Sequence, residues 1–85
     1  MAYNLVISSP EGRVFSGSVE FFSLRGEAGD LAVLTGHTPF VTTVKPGRFK
    51  IETEDGEEKT GRLESGILTV DKDTTTLLTS EITFD

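Results

Sequence analysis

Apolar and polar positions alternate with a period near two along most of this chain. Residues 48–54 do so most cleanly. Phe49, Ile51 and Thr53 fall on one face, and Arg48, Lys50, Glu52 and Glu54 on the other, which is the pattern of a half-buried strand. Residues 3–9 form an earlier strand-like run. It is reversed at Pro10-Glu11-Gly12, because proline presets φ and glycine accepts positive φ. Arg13-Val14-Phe15 returns as a short strand that Ser16-Gly17-Ser18 interrupts. Residues 19–25 predict a longer strand with Val19, Phe21 and Ser23 on one face and Glu20, Phe22 and Leu24 on the other. Apolar residues on both faces predict cover from both sides.

Residues 25–30 read as a loop, Leu31-Ala32-Val33-Leu34 as a compact strand, and Thr35-Gly36-His37-Thr38-Pro39 as a second loop. Residues 40–45 resume as a strand that stops at Pro46-Gly47. Asp55-Gly56 is a strong hairpin signal, so residues 57–63 pair back, and their polarity predicts an exposed edge strand. Gly66 opens a strand over 67–70. Asp71-Lys72-Asp73 turns the chain, 74–79 closes the meander, and Ile82 and Phe84 suit a last short strand. About nine or ten short strands with turn signals at roughly 8–10-residue spacing, and no 3.6-residue period, predict an all-β fold: a single β-sandwich or flattened barrel.

Composition agrees. The chain has 12 threonines, 7 valines and 4 isoleucines against 3 alanines, and β-branched side chains suit a pleated surface. With 85 residues it is expected to be one domain spanning 1–85. Having no cysteine, it can form no disulfide, thiolate metal site or cysteine nucleophile. A single histidine excludes zinc sites needing two imidazoles, and no cofactor is expected. No apolar run approaches the length of a membrane-spanning helix. The start shows no signal peptide, which makes an intracellular location the default. A net charge of −6 argues against nucleic acid, whose phosphates need clustered Lys and Arg.

Few motifs point to chemistry. Residues 12–18 have the glycine spacing of a phosphate loop, but Ser18 stands where lysine is required, and a strand follows where a helix is required. His37 lacks the G-x-S-x-G partner of a hydrolase. It reads first as a loop residue before Pro39, with a small hydrolase as the rival. The acidic residues lie on exposed strand faces or in turns rather than across a cleft. Asp71-Lys72-Asp73 lacks the glycine and glutamate of a calcium loop. Two glycine-rich loops flank residues 31–34, and loops at one end of a rigid scaffold are common binding sites.

Taken together, five segments resemble one family: Phe15-Ser16-Gly17-Ser18-Val19-Glu20, Gly26-Glu27-Ala28-Gly29-Asp30-Leu31-Ala32-Val33-Leu34, Gly36-His37-Thr38-Pro39, Thr43-Val44-Lys45-Pro46-Gly47 and Gly66-Ile67-Leu68-Thr69-Val70. In order and spacing they resemble the N-terminal β-sandwich domain of the epsilon subunit of F-type ATP synthases, called delta in mitochondria. The resemblance runs from about Tyr3 to Thr79.

It implies a non-catalytic stalk subunit that couples ion-driven rotation to ATP synthesis. Its partners would be the gamma subunit and the membrane c ring, and its place peripheral to the membrane, on the cytoplasmic face of a bacterial-type plasma membrane. By position, the c-ring contact falls on Glu27, Ala28, Gly29, Asp30 and Leu31, with Asp30 foremost. The gamma contact falls on Ser9, His37, Thr38, Pro39 and Phe40. Phe22 and Leu24, or Phe40 and Val44, are candidates for apolar residues that finish their burial only against gamma. The family usually continues into a two-helix hairpin that can inhibit ATP hydrolysis and, in some members, bind ATP. This sequence reaches Asp85 directly after the sandwich, so both properties are expected to be absent, and the plain Met-Ala start favours a natural short form. The alternative is a stand-alone β-sandwich ligand-binding module. No tryptophan and one tyrosine leave it little aromatic platform.

Overall fold

The computed structural model describes residues 2–35 and 38–85. Nine strands follow one another: β1 (Tyr3–Ser9), β2 (Gly12–Gly26), β3 (Gly29–Leu34), β4 (Phe40–Val44), β5 (Gly47–Thr53), β6 (Glu58–Leu63), β7 (Gly66–Val70), β8 (Thr74–Thr79) and β9 (Ile82–Phe84). They form one hydrogen-bonded set in the order β1-β8-β7-β4-β2-β5-β6-β9, with β3 paired to β2. The set folds over itself into two layers, a flattened barrel.

The 15-residue β2 belongs to both layers. Its first half pairs antiparallel with β1, from Tyr3↔Val19 to Ser9↔Gly12. Its second half pairs with β5 on one side and β3 on the other. At its end Gly26 meets Val44 of β4, and the Lys45 amide donates to the Arg25 carbonyl at 2.9 Å. The layer β1-β8-β7-β4 is thus tied to β2 at both of its edges. The chain runs through Ser16-Gly17-Ser18 without a break, contrary to the interruption those small residues suggested, because the β1 ladder supplies the pairing that local propensity lacks.

A bulge sets which side chains point inward. Val19 is opposite Thr53 and Phe21 is opposite Glu52, so Glu20 is one residue more than β5 has, and the inward parity of β2 changes there. Val19, Phe22 and Leu24 are all buried while Glu20 is exposed. Strict alternation had divided these three between opposite faces. β6 also differs from expectation. It pairs with β5 through six residues and with β9 through three, so it is not an edge, and its polar residues simply face outward.

The core joins both layers: Leu5 and Ile7 of β1, Val19 and Phe22 of β2, Phe49 and Ile51 of β5, Leu63, Leu68 and Leu77, with Phe15, Leu31, Phe40, Ile82 and Phe84 packed around it. Phe49 meets Phe22 and Phe84 edge to face, at centroid distances of 6.5 and 5.3 Å. That approach needs Gly61, where a Cβ would stand 2.2 Å from the Thr83 carbonyl and 2.8 Å from the Phe49 ring. Gly66 is equally constrained, its Cβ position lying 2.2 Å from the Leu78 carbonyl oxygen. Tyr3 is 9% exposed and donates its hydroxyl to the Val33 carbonyl at 2.7 Å, linking β1 to β3 across the layers. Burial pushes its phenol above the ordinary value.

Two stability predictions follow from these contacts. Gly66→Ala costs about 1–3 kcal/mol, because backbone rather than a movable side chain blocks the methyl. Gly17→Ala, whose nearest neighbour would be the Phe15 ring at 3.5 Å, changes stability by no more than about 1 kcal/mol. Urea denaturation compares the two. Tyr3→Phe removes the hydroxyl's hydrogen bond to the Val33 carbonyl and costs about 1 kcal/mol. Because the native phenol is raised, its contribution to stability is full below the unfolded value near 10 and is lost as pH rises above it. The variant therefore loses this part of the alkaline decline, as urea midpoints taken across that range will show.

Candidate functional site

The outer faces of the two layers differ in kind. In the β1-β8-β7-β4 layer, cross-strand register places two rows side by side. One runs Thr43–Ile67–Leu78–Ser8 and ends against Arg13 of β2, and the other runs Val41–Thr69–Thr76–Val6, continuing to Ser16 on β2. Asn4 lies beside Thr74 in a third row. Within the four strands of the layer none of these side chains ionises, in a chain with 26% charged residues. Val41 is 68% exposed, Leu78 55% and Ile67 48%. Threonine hydroxyls separate them.

The other layer is ionic. Lys50 reaches Glu58 at 3.1 Å and Glu52 at 3.4 Å, and the hydrogen bond to Glu58 above all raises its pKa. Arg48 pairs with Asp85. The Thr60 hydroxyl, donating at 2.7 Å, and then Arg48 hold the Asp85 carboxyl below its ordinary range. In the turn after β5, the Thr53 hydroxyl and the backbone N–H of Glu57 hold Asp55 low in the same way. Every ion pair among the described residues lies in or beside this layer.

The sequence-predicted site residues fall around the uncharged face. Glu27 and Ala28 form the exposed turn between β2 and β3. Gly29 follows at φ +128°, a left-handed value that glycine adopts without strain. Asp30 is exposed, 3.7 Å from Arg25, and Leu31 packs on the core. Glu27 accepts a hydrogen bond from the Thr43 hydroxyl, which ties this turn to a corner of the uncharged face. Ser9 ends β1 at the same end, and its hydroxyl accepts from the Glu11 amide at 3.3 Å. Thr38 and Pro39 are exposed at the opposite end, where Phe40, half-buried, starts β4. His37 lies outside the described residues. Ser9 and the 38–40 segment are thus not brought together, and they bracket the face between them.

The apolar candidates need correction. Phe22, Leu24 and Val44 are 0%, 3% and 2% exposed; they already belong to the core, and Phe40 packs against it. Val41, Ile67 and Leu78 are the apolar side chains that this face leaves in solvent, while Val14 and Leu34 are exposed elsewhere. The alternation of Ile67 with Leu68 signals one of them, but a strand's period does not say which of its two faces is covered.

Catalytic features are sparse. The 12–18 segment is strand, not a phosphate cradle. Its Phe15–Ser18 part lines a groove of about 520 Å³ whose far wall sets Glu54, Asp55 and Glu57 against one cation, Lys59, a balance that repels phosphate. Among the described residues no three His, Asp or Glu side chains converge as a metal set.

A stiff barrel with one uncharged face and a tethered turn at its corner is the build of a docking module. Residues 2–85 match the family described as ATP synthase, delta/epsilon chain, beta-sandwich domain, and the chain belongs to that family. Among solved structures, it is similar to a chain of the Euglena gracilis mitochondrial ATP synthase, solved as OSCP/F1/c-ring in rotational state 1, with TM-score 0.87 and 22% identity over 94% of this chain and 51% of that one. It is also similar to a chain of the Tetrahymena thermophila mitochondrial ATP synthase central stalk/c-ring, with TM-score 0.79 and 11% identity over 94% of this chain and 64% of that one. At these identities the likeness is one of fold, and the chain spans about half to two thirds of the length of those relatives.

Proposed function

We propose that this chain is a non-catalytic central-stalk subunit of a rotary ATP synthase. It binds the gamma subunit through the uncharged face and meets the c ring through the turn formed by Glu27, Ala28, Gly29, Asp30 and Leu31. The observation that carries this reading is the uncharged face itself, bracketed by Ser9 at one end and Thr38, Pro39 and Phe40 at the other. Covering Val41, Ile67 and Leu78 is worth on the order of 1 kcal/mol each, and no ion has to be stripped of water to do it. Family membership over residues 2–85 and the central-stalk and c-ring assemblies in which similar folds occur support the choice of partners.

The action is mechanical. A packed β interior resists deformation, and the Glu27–Thr43 hydrogen bond joins the turn to the face. Torque entering at one surface leaves at the other with little lost motion. The whole 1–85 chain acts as one epsilon-type domain, peripheral to the membrane, on the cytoplasmic side in a bacterial-type cell. The rival reading, a carbohydrate-type ligand module, has no aromatic platform to use: Tyr3, the one tyrosine, is buried.

Size-exclusion chromatography with a gamma subunit, or with an epsilon-depleted ATPase complex, tests the reading. At about 1 µM the wild-type chain co-migrates, and moderate salt leaves the complex intact because no ion pair holds it. The Val41→Lys/Ile67→Lys variant keeps its fold within about 1 kcal/mol, as exposed strand positions allow, but elutes alone. Separate elution of the folded wild-type chain, or co-migration of the double variant, sinks the proposal.

A further inference from the structure

Three of the eight Lys and Arg residues in this acidic chain stand in one line across the ionic layer. Arg48 on β5 is directly opposite Arg62 on β6. On the other side of β5, Ser23 is opposite Lys50, so Arg25, two residues on, comes level with Arg48. Its side chain lies along Gly47, where a Cβ would sit 3.4 Å from the Arg25 Cβ. Like charges placed side by side on a sheet destabilise it, so the fold gains nothing from this row.

The neighbouring carboxylates orient these guanidinium groups without consuming them. Asp30 is 3.7 Å from Nε of Arg25 and Glu64 is 3.8 Å from Nε of Arg62. Both contacts exceed hydrogen-bond length and fall at Nε rather than at the terminal amino groups. Arg48 commits one terminal amino group to Asp85. The three side chains are 60%, 61% and 57% exposed, so their forks face solvent. With Ser23, Gly47 and Asp30 they line a groove of about 510 Å³, and Gly47 leaves its floor open.

We propose that this groove binds a phosphate group, either the headgroup phosphate of an anionic lipid or free inorganic phosphate or pyrophosphate. Planar forks in a row match phosphate oxygens two at a time. Asp30, at the groove's edge, belongs to the turn assigned above to the c ring. The lipid source rests on that reading, because it puts the groove beside the membrane. The phosphate chemistry does not. Three carboxylates balance the three guanidinium groups, so the site is weak and salt-sensitive, with a dissociation constant on the order of a millimolar at low ionic strength.

Amide-resolved NMR of the 85-residue chain, titrated with pyrophosphate, tests the site. Saturable shifts are expected at Arg25, Gly47, Arg48 and Arg62. Arg48→Gln/Arg62→Gln weakens them at least roughly tenfold, with the rest of the spectrum unchanged. Glu64→Gln, which keeps the fold and removes a competing carboxylate, strengthens them. Co-sedimentation with phosphatidylcholine vesicles, with and without phosphatidylglycerol, then separates the sources. Binding to the anionic vesicles that pyrophosphate displaces assigns a headgroup, and a response to pyrophosphate alone assigns the free anion. Shifts that never saturate, that spread to Arg13 and Lys72, or that survive in the double variant overturn the proposal. None of these results depends on gamma binding, so the site can fail while the stalk reading stands.

Discussion

The architecture depends on one strand serving two layers. β2 pairs with β1 in its first half and with β5 and β3 in its second, and it can do so only because the Glu20 bulge changes its parity midway. A one-residue shift in a strand moves its whole inward set to the other face. Without the bulge, Val19 and Phe22 could not both be buried. The shared strand then delivers its C-terminal end, and the turn beyond it, to the edge of β4, where Gly26 meets Val44. The position of residues 27–31 beside the uncharged face is therefore a consequence of how β2 is bent, not of the turn's own sequence.

The division between the two outer faces has a physical logic. An exposed ion pair on a sheet contributes little, but it keeps the surface hydrated and soluble. On a face that a partner will cover, the same charges would have to be desolvated at a cost their attraction seldom repays. Charges are accordingly depleted from interface centres and retained at rims. Here the separation is by layer. Lys50, Arg48 and Arg62 with their carboxylates occupy one side, and the other carries only Val, Ile, Leu, Thr, Ser and Asn at its outward positions. The acidic net charge of the chain says nothing about this separation; only the register reveals it.

Much of the fold was legible in the sequence, for reasons particular residues make plain. The alternation over residues 48–54 and the Asp55-Gly56 turn gave β5 and its return because one face there is apolar and the other charged. Pro46-Gly47 marked the break between β4 and β5, which both run antiparallel to β2, and Gly26 and Gly29 marked a real reversal. Two errors came from non-local pairing. Ser16-Gly17-Ser18 is strand because β1 holds it, and β6 is interior because β9, far along the chain, pairs with its Gly61–Leu63 end. Neither cause is visible in a local window. The candidate site residues came only by resemblance; they lie at the ends of the uncharged face, and the exposed Val41, Ile67 and Leu78 between them were not among them. Phe22, Leu24 and Val44 look like interface residues by hydrophobicity alone, yet the largest apolar side chains go to the core first.

What remains on the surface is smaller and more ambiguous, and that ambiguity fits a face with two environments. Threonine presents a methyl and a hydroxyl from one β-branched carbon. In the free chain, the hydroxyls of Thr69 and Thr76 remain hydrated beside Val41, Ile67 and Leu78, which limits the continuous apolar area that would drive aggregation. Against a partner, the methyls pack, and each hydroxyl can find an acceptor on either side because its proton rotates freely. A face of larger aliphatic residues would bind more strongly and be less soluble alone. A face of charges would be soluble and bind poorly. On the proposed reading, the threonine-separated pattern lets the chain stay dispersed alone and still bury an uncharged surface against a partner.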